Sequence, residues 1–209
     1  MDLSQLRTRV RRLSGVRLVE LLPDSDLNEL VNEAYRELMG LRQWPFLRRE
    51  LSLSATAGDP VLEVPVPMRH IEGVALSNGR RLRQVTVHDL DRLTDREDVP
   101  EVYARRDERT LVLWPTPAQD VAARVWAQES PGDLGGDASS PVFESEFHPA
   151  IAYMVAARVL AEEGDDSGRA QMYAEEASAL ISRMEDRYLA SQDAGVFVMG
   201  GGRQRVRTF

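Results

Sequence analysis

The apolar residues of this chain change period twice, and that pattern limits its fold more than any other feature. Leu27, Leu30, Val31, Ala34, Tyr35, Leu38 and Leu41 recur every three or four residues, the spacing of one buried helix face. From about Glu50 the period becomes two. Leu51 and Leu53 alternate with Ser52 and Ser54, and Leu62, Val64 and Val66 alternate in VLEVPVP. The helical period then returns, through Phe147, Ile151, Met154, Val155 and Val159, and again through Tyr173, Ala177, Leu180, Ile181, Met184 and Tyr188. Helices, strands and helices in that order predict an α+β fold, in which amino- and carboxy-terminal helices form one bundle and an antiparallel β-rich subdomain is inserted between them. The expected divisions are bundle helices over 1–47, the β-rich insert over 48–130, a linker over 131–143, bundle helices over 144–192 and an extended tail over 193–209.

Local signals sharpen this outline. Leu3, Leu6, Val10 and Leu13 share one side of a short amino-terminal helix. Asp24, Ser25 and Asp26 are cap candidates for the next helix, with Glu29 three residues after Asp26, and Pro45 ends it by disfavouring helical geometry at Trp44. Pro65 and Pro67 cannot donate to a ladder, so VLEVPVP is an edge strand or a strand end. Asn78-Gly79 marks a hairpin. A second hairpin is expected in EVYARRDERTLVLWP with Leu111 and Leu113 inward, and a strand through Val121, Ala123, Val125 and Ala127. VHDLDRLTDRED reads as a short helix or a structured loop. SPGDLGGDASSP, residues 130–141, is turn-rich with no apolar pattern, and Trp44, Phe46, Trp114 and Trp126 are read as core packing.

Composition removes whole classes of function. The 209 residues contain no cysteine, which excludes thiol nucleophiles, disulfides, cysteine zinc sites and iron–sulfur clusters. All 26 basic residues are arginine against 34 acidic ones, for a formal charge of −8. Such a balance disfavours a uniformly basic nucleic-acid binder, while arginine suits bidentate pairs at interfaces. No apolar run approaches a membrane span, and arginines stand where a signal peptide needs an apolar stretch; no membrane association and a protein made in a cytoplasm are expected.

Four stretches invite a chemical reading. ESEFHPAI offers Glu144, Glu146 and His148 as metal ligands or an acid/base pair, which would make a metal hydrolase. The competing reading is a helix start with Ser145 as cap and Pro149 in the first turn, and it accounts for each residue. EEGDD, residues 162–166, lacks the ligand alternation of a calcium loop and reads as a solvated turn. GGGR, residues 200–203, lacks the Lys-Ser or Lys-Thr of a phosphate loop. No G-x-S-x-G nucleophile setting occurs, and neither a cofactor nor a metal is expected. Two arginine clusters remain: Arg7, Arg9, Arg11 and Arg12 near the start, and Arg203, Arg205 and Arg207 near the end. Alternate spacing projects the last three from one side of an extended strand, with Val206 opposite. With VFVM before them, they describe a tail that docks on another subunit by strand addition or groove insertion.

The order of these blocks resembles the bacteriophage head-to-tail adaptor (connector) proteins. The residues that carry the resemblance are LNELVNEAYRELMGLRQWPFLRRELSLSATAGDPVLEVPVP, then DLDRL, then PEVYARRDERTLVLWPTP, then PVFESEFHPAIAYMVAARVLAEE with AQMYAEEASALISRMEDRY, over about residues 24–190. The resemblance implies a non-enzymatic structural protein of the virion neck, assembled in the host cytoplasm. It would form a ring, a dodecamer, beneath the portal, pass the genome through its lumen without specific binding, and meet a tail or neck protein on the other side. It also implies that the carboxy-terminal extension reaches the portal, with Val196, Phe197 and Val198 as apolar contacts and Arg203, Arg205, Val206, Arg207 and Phe209 completing the interface. A sequence-independent DNA-binding module using the terminal arginines is the alternative.

Overall fold

The structure, a computed structural model, describes residues 1–15, 22–163 and 166–196. Five α-helices occur among these residues: α1 (Leu3–Ser14), α2 (Asp24–Gly40), α3 (Val87–Leu90), α4 (Pro149–Glu163) and α5 (Ser167–Val196). The strands are β1 (Arg48–Ala55), β2 (Val61–Glu63), β3 (Met68–Leu76), β4 (Arg81–Val85), β5 (Glu97–Asp98), β6 (Val102–Arg105), β7 (Thr110–Trp114), β8 (Thr116–Pro117) and β9 (Val121–Glu129). The chain is therefore mixed α+β. Its contacts divide it into a helical unit, Met1–Phe46 together with the chain from Gly132 onward, and a β unit, Leu47–Pro131.

In the helical unit α1 starts with a capping box. The Asp2 carboxylate accepts from the Gln5 N–H at 2.9 Å, and the Gln5 side chain accepts from the Asp2 N–H at 3.2 Å. Gly15, at φ 77°, ends the helix in the left-handed conformation that glycine adopts without strain. α2 departs from the expected capping. It begins at Asp24 behind Pro23 and has no side-chain cap; Asp24 and Asp26 lie inside the first turn, where carboxylates meet the positive helix end. α4 is apolar nearly all round, with Ala150, Ile151, Ala152, Val155, Ala156, Val159 and Leu160 buried, because α1, α2 and α5 all pack against it. α5 is capped by Asp166, whose carboxylate accepts from the Arg169 N–H at 3.0 Å, and it continues to Val196. That end lies four residues inside the segment expected as an extended tail. No proline interrupts SQDAGV, and an established helix adds residues more cheaply than it starts.

The segment read as a linker is fastened to the helices. Leu134 is buried; its N–H donates to the Asn32 side-chain oxygen at 2.8 Å, while the Asn32 amide donates back to the Leu134 carbonyl at 3.5 Å. The Leu3 N–H donates to the Ser139 carbonyl at 2.9 Å, and Arg7 reaches Asp137 at 2.7 Å. A turn-rich composition conceals these anchors because they are single residues without a period.

The β unit is a seven-stranded sheet in the order β1-β9-β3-β4-β6-β7-β2, antiparallel except for β4 beside β6. A separate parallel pair joins β5 to β8. β2 lies at an edge, as Pro65 and Pro67 require, and touches β1 at the opposite edge, so the sheet curls around one core. Leu62, Ile71, Val74, Leu76, Leu82, Tyr103, Leu111, Leu113, Val125 and Ala127 fill that core. The β3–β4 hairpin turns at Gly79, φ 85°, and pairs Val74 with Leu82. Trp126 overturns the expectation of core packing: Val125 and Ala127 take the inward positions, so alternation puts the indole on the opposite face.

Candidate interaction surfaces

The motif blocks of the two chain halves meet in an aromatic cluster of the helical unit. Trp44 is fully buried, and its indole N–H donates to the Leu38 carbonyl at 3.0 Å. Phe46 stacks on it with ring centroids 5.8 Å apart and meets Tyr188 edge-on at 4.9 Å. Phe143 lies 6.1 Å from Phe46 and 6.3 Å from Tyr35, and Phe147 lies 6.1 Å from Tyr188. WPF, PVFESEF and the MEDRY end of α5 are thus one packing unit. Their spacing in the sequence serves a core, and no reacting group stands among them.

ESEFHPAI takes its place at the margin of this cluster. The helix starts at Pro149 and not at Ser145, because the proline ring disfavours helical geometry at His148; residues 145–148 form a turn, with the Phe147 N–H on the Glu144 carbonyl at 3.1 Å. Glu144 and Glu146 both turn to Arg187 of α5, at 2.9 and 3.7 Å. His148 faces the other way and is buried. Its Nε2–H donates to the Phe143 carbonyl at 2.9 Å, and its Nδ1 lies 2.5 Å from the Met1 amine, from which it accepts, and 2.9 Å from the Met1 carbonyl. Burial holds its pKa below the ordinary imidazole value, so the ring is a neutral structural hinge between Met1 and Phe143. The three side chains whose spacing invited a metal or acid/base reading are therefore spent on separate partners. Among the described residues no group of three or more His, Asp or Glu is placed to hold a metal ion, and no helix is long and apolar enough to cross a membrane.

The amino-terminal arginines are mostly consumed inside the fold. Arg7 is buried and bonds Asn28 at 3.2 Å and Asp137 at 2.7 Å, with Asp24 at 3.5 Å. Arg11 bonds Asp24 at 2.6 Å and the Leu22 carbonyl at 3.0 Å. That bond to Arg11 is the main reason the Asp24 carboxyl stays below its usual range. Arg9 reaches the Tyr153 hydroxyl at 3.2 Å and lies over its ring at 5.2 Å. Arg12 is exposed. What reads in sequence as a basic patch acts largely as internal wiring of α1.

Among the described residues, one surface on each unit invites a partner. On the helical unit, Leu41, Met154, Ala157, Ala177 and Ile181 floor a groove of about 510 Å³. Its rim is neutralised by Arg42 on Glu185 at 2.8 Å and by Arg158 on Glu37. On the β unit, Trp126 lies between the guanidinium groups of Arg124 and Arg81, at 5.8 and 5.9 Å from the ring. Of the residues expected to contact a portal, Val196 is the last residue of α5. Phe197, Val198, Arg203, Arg205, Val206, Arg207 and Phe209 lie outside the described residues.

The family model described as SU10 adaptor protein matches residues 1–205. The chain belongs to that family, whose members are phage head-to-tail adaptors, structural proteins and not enzymes. No curated protein matches the sequence.

Proposed function

We propose that this SU10-family adaptor forms a ring between portal and tail in the virion neck and lets the genome pass through its lumen. The family match across residues 1–205 carries the reading. The formal charge of −8 supports it, because a lumen of like charge lets DNA slide without binding. We assign portal contact to the carboxy-terminal tail, with Val196, Phe197 and Val198 as apolar anchors and Arg203, Arg205, Val206, Arg207 and Phe209 beyond them. Its alternating arginines suit an acidic portal surface. The partners are then the portal, a tail or neck protein and further copies of the chain, and the ring is a dodecamer.

Electron microscopy of the purified protein mixed with its portal tests both parts. A ring of adaptor density beneath the portal is expected with the full chain. Removal of residues 193–209 is expected to leave the far-ultraviolet circular dichroism of the fold and abolish the added ring. Full portal binding by the truncated chain refutes the tail assignment. The alternative DNA-binding role for terminal arginines has less support, since Arg7 and Arg11 are already paired within the helical unit.

A further inference from the structure

The open face of the β unit carries an interaction surface built by its register. Ser52, Arg124, Ala75 and Arg81 stand in one row across β1, β9, β3 and β4, and Glu50, Trp126 and Gly73 in the next. Cross-strand partners share a face, so Trp126 lies among Glu50, Arg124 and Arg81 on the side away from the core. A side-chain carbon on Gly73 would come within 4.0 Å of the indole. Glycine there and alanine at 75 leave a shallow bed for the ring. The register shift between Ile71 and Gly73 sets that glycine opposite Trp126. Arg83, two residues after Arg81 on the same strand face, is exposed as Arg81 is.

The charges are unequal. Arg124 has Glu50 at 3.7 Å, but neither Arg81 nor Arg83 has a carboxylate within ion-pair distance among the described residues. A partly buried tryptophan held between arginines, with ion pairs such as Arg48–Glu72 around it, has the make-up of an interface hot spot. Glu50 and Glu72 on the same sheet would repel a polyanion, so the face fits a protein that brings a few carboxylates and not a nucleic acid.

The chain itself offers such a surface. Along the exposed side of α2, Asp26, Glu29, Glu33 and Glu37 follow at steps of three or four residues, one above the other on the helix. Arg158 serves Glu33 and Glu37. Asp26 and Glu29 have no cationic partner among the described residues. We infer that the Arg81–Trp126–Arg83 face of one copy receives the Asp26–Glu29 end of α2 from a second copy, a head-to-tail contact of the kind that closes into rings. The inference rests on the ring reading and names the surfaces that would make it.

Sedimentation velocity of the full-length protein over a concentration series tests it. The wild-type chain is expected to self-associate. Arg81→Glu with Arg83→Glu is expected to weaken association by about tenfold or more, as loss of close charge pairs does. Asp26→Arg with Glu29→Arg should weaken it equally, and the fourfold swap should restore it, since the charges again oppose. All four substituted positions are exposed, and circular dichroism with melting temperature checks that each variant folds: the arginine reversals should leave both unchanged, while Asp26→Arg, in the first turn of α2, should lower the melting temperature slightly without unfolding the chain. Association unaffected by either pair, failure of the fourfold swap to restore it, or a wild-type chain that stays monomeric at every concentration overturns the inference. So does binding of a labelled single-stranded oligonucleotide that the arginine variant abolishes while self-association persists. Portal-bound rings that form normally from the arginine variant refute these surfaces and leave the ring itself standing; absence of rings from the wild-type chain refutes the ring.

Discussion

His148 supplies a sharp test of how the helical unit is held together. The imidazole is 3% exposed, burial is the largest cause of its lowered pKa, and its Nε2–H satisfies the Phe143 carbonyl. In the unfolded chain the ring titrates at its ordinary 6.5. A group whose pKa falls on folding contributes stability above the unfolded value and loses it as pH falls toward the folded one. For each pH unit below 6.5 over which the folded ring stays neutral, protonation of the unfolded chain removes about 1.4 kcal/mol. His148→Leu removes that dependence and leaves the Phe143 carbonyl without its donor. At pH 8 the variant should therefore be less stable by about 1–3 kcal/mol, with a nearly flat profile down to pH 5. Asp2, Asp24 and Asp107, held below the usual 3.8 by hydrogen bonds, lose their contributions only as pH falls below that value, outside the window. Urea unfolding followed by circular dichroism at pH 8, 7, 6 and 5 measures the profile. A variant that loses as much stability as the wild type across this range refutes the neutral, buried imidazole.

Two further substitutions probe other joints. Arg7→Met withdraws the bonds to Asn28 and Asp137, but the carboxylates of Asp24 and Asp137 are largely exposed and can hydrate. The expected loss is that of a charge-assisted hydrogen bond, about 1.5–3 kcal/mol in urea unfolding, with faster amide hydrogen exchange in residues 133–139. Gly79→Ala puts a side chain at φ 85° with nothing near it to clash; strain alone should cost about 1–2 kcal/mol. Gly132→Ala, equally open and without positive φ, is the control, and equal melting temperatures for the two variants would refute the strain argument.

The parts of the fold legible in sequence are those with a period. The repeating apolar positions of α2 and α5, the strand through Val125 and Ala127 and the turn at Asn78-Gly79 each repeat or punctuate a pattern. Trp126 was legible by the same rule, because a strand that turns Val125 and Ala127 inward must turn residue 126 outward; the general preference of tryptophan for cores concealed it. The single contacts were not legible. Nothing local in GDLGG announces that Leu134 will be buried against Asn32, 102 residues earlier, and nothing near Arg7 names Asp137. His148 invites a wrong reading for the opposite reason. Two glutamates and a histidine in five positions look like a ligand set until the chain direction is known, and the turn before Pro149 sends Glu144 and Glu146 to Arg187 while the imidazole goes inward.

The insertion of a whole sheet between α2 and α4 poses a physical problem that the register of β1 and β9 resolves. Closing a flexible loop of about 85 residues would cost the helical unit about 4 kcal/mol of chain entropy, a large part of the 5–15 kcal/mol by which domains are typically stable. β1 is the first strand of the insert and β9 the last, and they pair antiparallel from Arg48 opposite Gln128 through Ala55 opposite Val121. Paired backbones lie about 5 Å apart, so the chain leaves the helical unit and re-enters it from neighbouring strands. Arg49 on Glu129 at 2.7 Å fastens that exit. Once the sheet has formed on its own core, the helical unit closes a gap of a few residues and not of 85. The segment after β9 can then be short and still reach Asn32, Leu3 and Arg7, which is where Leu134, Ser139 and Asp137 are anchored. The ladder between the first and last strands thus explains how helices so far apart in sequence share one core, and why the turn-rich stretch between β9 and α4 is a fastening.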